Sequence, residues 1–457
     1  MPFYIKHLDN GKYFLLVFHI LLGIVIIEGQ NRQIYFLSTL WAWSIFFYGI
    51  YSILKNRNRY NEAALFAAYS VGIEIALRMT AASIFWEFSK YSVIIFCLLG
   101  LYMENIRGHK ISILMLIYIL SFFPSIIFIP YISFNEWRQV IAFNLSGPLT
   151  LFISVLYFRN RLFYKKELLH VFRALLFPIT TMSIIIFLRL PSLDKILFSS
   201  EANQALSGYY GPNQVSSMLG IIVAVIGLTK LLNYRIFKNE LIDYLLLGIC
   251  ALQAFLTFAR GGMITAIISI GFAWFVSFQK KSKNTLIKKS KIIFLTIIII
   301  IIWNFSADFT GGLIQDRYIA VISSDEPGQL AGTSRTLIML ADLNIFFDNF
   351  ITGVGPGMAN DLRKVYGYGK SVAAHSEITR LLAEHGLLGV MALIVSIVFI
   401  LKEYFFRVEN NKIIFVCFIL IAILTMFHSA MRLAMPGFIF GLAFMIVVDP
   451  EFKIQEK

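Results

Sequence analysis

The chain has 457 residues, of which 58% are apolar and only 14% charged, and its mean hydropathy is +0.75. Soluble domains carry nearly twice that share of charge, so the composition excludes an ordinary globular protein and indicates an integral membrane protein. The net charge of +14 is distributed in short blocks between apolar runs, a pattern of membrane topology that argues against nucleic-acid binding.

In chain order, apolar runs of bilayer-spanning character lie at about 13–28, 34–54, 62–80, 91–104, 111–131, 140–158, 169–188, 212–232, 240–258, 262–278, 292–305, 386–401, 413–430 and 435–448. About 20 apolar residues cross a bilayer as a helix, and lipid offers no partner to open backbone groups. The expectation is therefore an all-α polytopic protein with about 12–14 transmembrane helices, forming a single integral membrane domain over 1–457. The opening stretch MPFYIKHLDNGKYFLLVFHILLGIVIIEG has no small-residue cleavage site and reads as a retained helix. Cys97, Cys250 and Cys417 each sit inside an apolar run without metal or disulfide spacing, as small core residues do.

The connections KNRNR (55–59), RNRLFYKK (159–166), KLLNYRIFK (230–238), KKSKNTLIKKSK (280–291) and KEYFFR (402–407) are basic. If every run crosses, all five share one side, which the positive-inside rule makes cytoplasmic, together with both termini. Possible attraction to anionic lipid adds to this role. The outer side then receives 81–90, 189–211, 259–261 and one long connection, 306–377. Within it TLIMLADLNIFFDNFI (336–351) repeats apolar residues at helical spacing, which predicts an external helix lying against the membrane.

Several charged groups stand at the outer ends of runs. Arg260, before Gly261 and Gly262, is either a guanidinium fork suited to phosphate or an arginine snorkelling to the interface. Arg189 has the same alternatives. Glu74 and Arg78 are spaced i,i+4 for a structural ion pair, and Glu87 with Lys90 form a second local pair beside Trp86. Arg335 opens the predicted external helix, where an N-terminus already favours anions. His375 precedes a helix entering the membrane, and imidazole exchanges protons near neutrality. Tyr209, Tyr210 and Asn213, in SGYYGPNQVSS, are interfacial residues or a surface on which a sugar stacks.

Taken together, LTFARGG, TSRTLIMLADLNIFFDNFITGVGPG and AAHSEITRLLAEHGLLG resemble the O-antigen ligase and O-antigen polymerase superfamily of bacterial membrane glycosyltransferases, over about 255–390. Ala259 stands where a serine is usual, Ser376 where an asparagine is, Met339 where a tryptophan is common and Ile351 where a proline is. The resemblance implies transfer of a saccharide from an undecaprenyl pyrophosphate-linked donor to a hydroxyl of an acceptor glycan, on the outer face of the bacterial cytoplasmic membrane. It implies that Arg260 and Arg335 bind phosphate and that His375 is a general base or a phosphate ligand. No cofactor and no metal are expected. Arg189, Arg317, Tyr209, Asn213 and Glu377 are further candidates for substrate contact, with Glu377, Arg380 and Glu384 also able to orient their helix. The lipid A-core acceptor of a ligase is favoured over the lipid-linked repeat of a polymerase. A transporter or flippase for lipid-linked glycans is the alternative of another class.

Overall fold

The computed structural model describes residues 10–104, 111–130, 133–191, 202–278, 285–319 and 333–448. Within them the predicted all-α membrane architecture is found. The long helices are α1 (Lys12–Asn31), α2 (Phe36–Asn56), α3 (Glu62–Met79), α4 (Phe88–Met103), α6 (Phe134–Phe158), α7 (Lys165–Leu188), α8 (Pro212–Leu231), α9 (Glu240–Leu256), α10 (Arg260–Phe278), α11 (Thr285–Phe309), α15 (Glu377–Phe405) and α16 (Glu409–Ser429). Among the described residues nine are long and apolar enough to cross a membrane by themselves. Of the other three, α4 and α9 fall just short in length, and α3 carries Glu62, Glu74 and Arg78.

Two of the expected runs are broken. The run at 111–131 forms α5 (Ile113–Leu120) and then a separate short turn, Pro124–Phe128. Pro124 has no N–H to continue the α-helical ladder. The run at 435–448 forms α17 (Met435–Leu442), then β2 (Ile446–Val448), which pairs in parallel with β1 (Leu162–Tyr164). This small ladder is a correction to a purely helical expectation, and it ties the last run to the basic connection at 159–166.

That tie belongs to a wider gathering. Arg161 forks onto both oxygens of Glu104 at 2.6 and 2.7 Å and also reaches Asn61 at 3.1 Å, while Asn58 donates to the same Glu104 at 2.8 Å. Arg159 pairs with Glu403 at 2.8 Å, Arg407 donates to the Met445 carbonyl at 2.7 Å, and Arg173 donates to the Ile236 carbonyl at 2.8 Å. Four of the five basic connections therefore meet at one end of the bundle. Much of the fifth, at 279–284, lies outside the described residues. Not all of this charge is solvated, because Lys230 is fully buried and pairs with the equally buried Asp243 at 2.5 Å. Asp243 further accepts the Phe237 N–H at 3.0 Å, which closes the turn between α8 and α9.

The long connection at 306–377 is folded in its described parts. α12 (Leu313–Ile319) is followed by α13 (Thr333–Asp348) and α14 (Ala359–Leu362), while 320–332 lie outside the described residues. α13 buries Ile338, Ala341, Asp342, Ile345 and Phe346. Its other face leaves Leu337, Leu340, Phe347 and nearby Ile351 exposed, an apolar stripe of i,i+3,i+4 type that fits the surface of a membrane. The three cysteines are free and buried.

Removing one partner of a fully buried pair strands the other charge, at a cost of about 3–5 kcal/mol. Lys230→Met should therefore lower the thermal midpoint of the detergent-solubilised protein sharply, and adding Asp243→Asn should restore much of the loss. An unchanged midpoint in the single variant would contradict this assignment.

Candidate functional site

The end of the bundle away from the basic connections is organised by a break in α15. Gly386 has φ +56° and ψ −133°, so the two-turn segment 377–385 is set off from the span that follows. The stretch expected to descend directly from His375 thus begins as a separate short helix. The turn GVGPG (353–357) closes onto this break: the N–H groups of Val354 and Gly355 donate to the carbonyls of Ala383 and Glu384 at 3.1 and 2.9 Å, and Leu387 N–H donates to Ile351 at 3.3 Å. All three glycines of the turn have positive φ, a conformation costly for other residues. The Gly-x-Gly-x-Gly spacing and the glycine after Glu384 and His385 are two halves of one clamp.

Buried acids at this end are matched to basic side chains. Arg380 bridges Glu377 and, at 2.8 Å, Glu384, all three being buried. Arg363, fully buried, pairs with Asp342 at 2.7 Å and donates to Asn360 and to the Val372 carbonyl, while Thr379 donates to the other oxygen of Asp342 at 2.8 Å. Arg78 pairs with Glu74 at 2.6 Å as its spacing predicted, and it stacks over Trp86. Lys90 pairs with Glu87, also as expected. These pairs tie α13, the connection to His375 and the short helix into one unit.

A second set of cations is held by neutral oxygens. Arg335 donates to Asn213 Oδ1 at 2.8 Å, which joins α13 to the start of α8. Arg432, between α16 and α17, donates to the carbonyls of Ala373 and Ala374 at 2.9 and 2.6 Å, directly before His375. Burial and the positive charge of Arg260 lower the pKa of Arg335. Burial, followed by the charges of Arg432, Arg335, Arg363 and His428, lowers His375 to about 4. Arg260, Arg335 and His375, drawn from three separated segments, thus share one electropositive neighbourhood in which the imidazole is neutral at physiological pH. Such a place can bind an anion and accept a proton once that anion is present.

The glycines after Arg260 are explained by packing. Consecutive residues of a helix point about 100° apart, so Gly261 and Gly262 face different neighbours. Gly262 lies on the backbone of Ser216 in α8, and Gly261 lies on the imidazole of His428 at the end of α16. Ser216 Oγ donates to the Ala259 carbonyl at 2.6 Å.

Other expected substrate contacts fare differently. Asn213 is brought to Arg335. Arg189 donates to the carbonyls of Met79 and Gly208 at 2.8 and 3.2 Å and to Gln30 at 2.7 Å, so its fork clamps the outer ends of α1, α3 and α7. Glu377 is engaged by Arg380 and by the Met431 N–H at 3.1 Å, which makes it an anchor for the link between α16 and α17. Tyr209 is exposed, and its neighbour Tyr210 bonds Arg78. Arg317 lies in α12, with its side chain outside the described residues. His385 meets Ser125 at 2.5 Å and the Phe122 ring, a packing role. Sequence reasoning missed His428 and Arg432; the signal was HSAMR at 428–432, charge at the mouth of a later run.

A Cβ on Gly261 would stand 2.6 Å from Cγ of His428, whereas one on Gly271 of the same helix meets nothing within 4 Å. Gly261→Ala should cost about 1–3 kcal/mol through overpacking, read as a lowered thermal midpoint, with Gly271→Ala neutral or better. Equal midpoints for the two variants would refute the contact.

Residues 245–394 match the family model described as O-antigen ligase. No curated protein matches the chain. The matched segment contains Arg260, Arg335, the glycine clamp and His375, and it supports a membrane glycosyltransferase-like function in O-antigen or lipopolysaccharide biosynthesis. Over residues 245–394 this polytopic membrane protein is similar to the O-antigen ligase/polymerase superfamily.

Proposed function

We propose that the protein is an O-antigen ligase, moving a saccharide from an undecaprenyl pyrophosphate-linked donor to a hydroxyl of a lipid A-core acceptor. The observation that carries this reading is the meeting of Arg260, Arg335 and His375 at one end of the bundle, opposite the basic connections. With those connections cytoplasmic, both termini lie in the cytoplasm and the site opens to the periplasm. The description of the matched family favours the ligase over the polymerase.

In this reading Arg335 and Arg260 hold the pyrophosphate, and their charge stabilises what the leaving group acquires in the transition state. The acceptor oxygen attacks the anomeric carbon and its proton passes to His375. The bond from that carbon to the pyrophosphate oxygen breaks, with its electron pair going to the phosphate. Burial, and after it the arginines, hold His375 neutral in the free protein, and the donor's negative charge offsets the arginines. Its basicity therefore rises only when donor is bound. His375 acts as base under this scheme, and the phosphate contacts belong to the arginines.

The test is transfer by the purified protein from lipid pyrophosphate-linked oligosaccharide, with lipid A-core or a second lipid-linked glycan as acceptor. Product on the lipid A-core alone supports a ligase, elongation of the lipid-linked glycan supports a polymerase, and lipid movement without a new glycosidic bond refutes an enzyme. Arg260→Ala and Arg335→Ala should each lower kcat by about 10²–10³-fold, and His375→Ala by about 10²–10⁴-fold. Arg335→Lys should recover little, since lysine lacks the planar fork.

The pH dependence follows from the same field. Because the neutral imidazole is the working form and its pKa is lowered to about 4, kcat/KM should stay flat from pH 7.5 to 5.5 and fall only near pH 4. The limb of kcat, which reports the donor complex, should lie at higher pH than that of kcat/KM. A kcat/KM limb near 6.5 would remove His375 from this role.

A further inference from the structure

His428 closes α16 with its ring against Gly261, one residue from Arg260. Both of its ring nitrogens are shut off from solvent, and neither reaches a hydrogen-bond partner beyond the residue's own backbone. Imidazole always presents at least one N–H donor, and a buried polar group left unmatched in a native fold calls for a cause. His19, by contrast, uses both ring nitrogens, on the Leu15 carbonyl and Tyr69, and His385 uses one, on Ser125, its Nε2 having no partner. The charged and titratable groups that sense His428 are Arg335 and His375, with Arg260 adjoining. No carboxylate is among them, so an anionic oxygen is the partner this edge of the site accepts best.

We propose that His428 belongs to the substrate site, where a ring N–H hydrogen-bonds an oxygen of the donor's pyrophosphate beside Arg335. The proposal rests on the lipid pyrophosphate reading above. It gives the site a second imidazole whose role differs from that of His375, since His428 binds phosphate and takes no proton from the acceptor. It also gives Gly261 a function, since a side chain there would displace the ring from its place next to Arg260.

The experiment measures binding of inorganic pyrophosphate to the detergent-purified full chain, together with KM for donor and for acceptor. Loss of a hydrogen bond to a charged oxygen weakens affinity by about tenfold or more. His428→Phe and His428→Leu should show that loss and raise KM for the donor in proportion, with KM for the acceptor unchanged. His428→Asn, which keeps an N–H donor, should stay within about threefold of the unaltered protein and remains decisive if the apolar variants fail to fold. Unaltered pyrophosphate affinity in the phenylalanine or leucine variant overturns the proposal while leaving the ligase reading intact, as does an asparagine variant that is folded yet as weak as a truncation. Failure of the unaltered protein to bind pyrophosphate at all would bring down the lipid pyrophosphate reading itself.

Discussion

A charge held out of water must find its counterpart nearby, and the end of this bundle that carries Arg335 and His375 is laid out by that constraint. Glu377 and Glu384 are taken by Arg380, Asp342 by Arg363, and Glu74 by Arg78. With the acids consumed, Arg335 and Arg432 are positioned by an amide and by carbonyl oxygens, which orient a guanidinium without neutralising it. The division of labour is physical: ion pairs fix the frame, and neutral acceptors aim the charge that is left over. A field of that kind favours an anion with several oxygens and adds to burial in keeping a neighbouring histidine unprotonated.

The glycines serve the same end by a different means. The clamp between 353–357 and the break at Gly386 brings the external connection onto a span, and Gly261 and Gly262 let α10 approach both α8 and the end of α16. Close approach is what allows groups so distant in sequence to share one electrostatic neighbourhood. A methyl group at these positions would separate elements that must touch.

Much of this could be read from the sequence, and the reasons are specific. The apolar runs have a length fixed by the bilayer, so their helices were legible, as were the i,i+4 pairing of Glu74 with Arg78 and the external helix carrying Arg335. Arg260, Arg335 and His375 stood out because the remaining sequence is so apolar. The broken runs were less visible: the proline at 124 is a local signal that the apolar run masked, while the pairing of Ile446 with the far-off Leu162 acts only once the chain is folded. Asn213 had a turn to explain it, and its contact with Arg335 depends on tertiary structure. Arg189 looked the same as Arg260 in sequence, yet three acceptors from other elements commit its fork. His428 and Arg432 were hidden for a related reason, because what gives them meaning is Gly261 and the carbonyls before His375.

The order in which these residues emerge during synthesis follows from where they lie. Arg260 comes first, then Arg335, then His375, and His428 at the end of α16 and Arg432 in the link after it come last. Glu377 anchors that late link through the Met431 N–H, and Arg432 in turn holds the carbonyls leading to His375. A ribosome-bound chain lacking its last two runs therefore has the arginines but lacks the support for its histidine. The electropositive neighbourhood around His375 is therefore complete only once α16 and its link to α17 are in place.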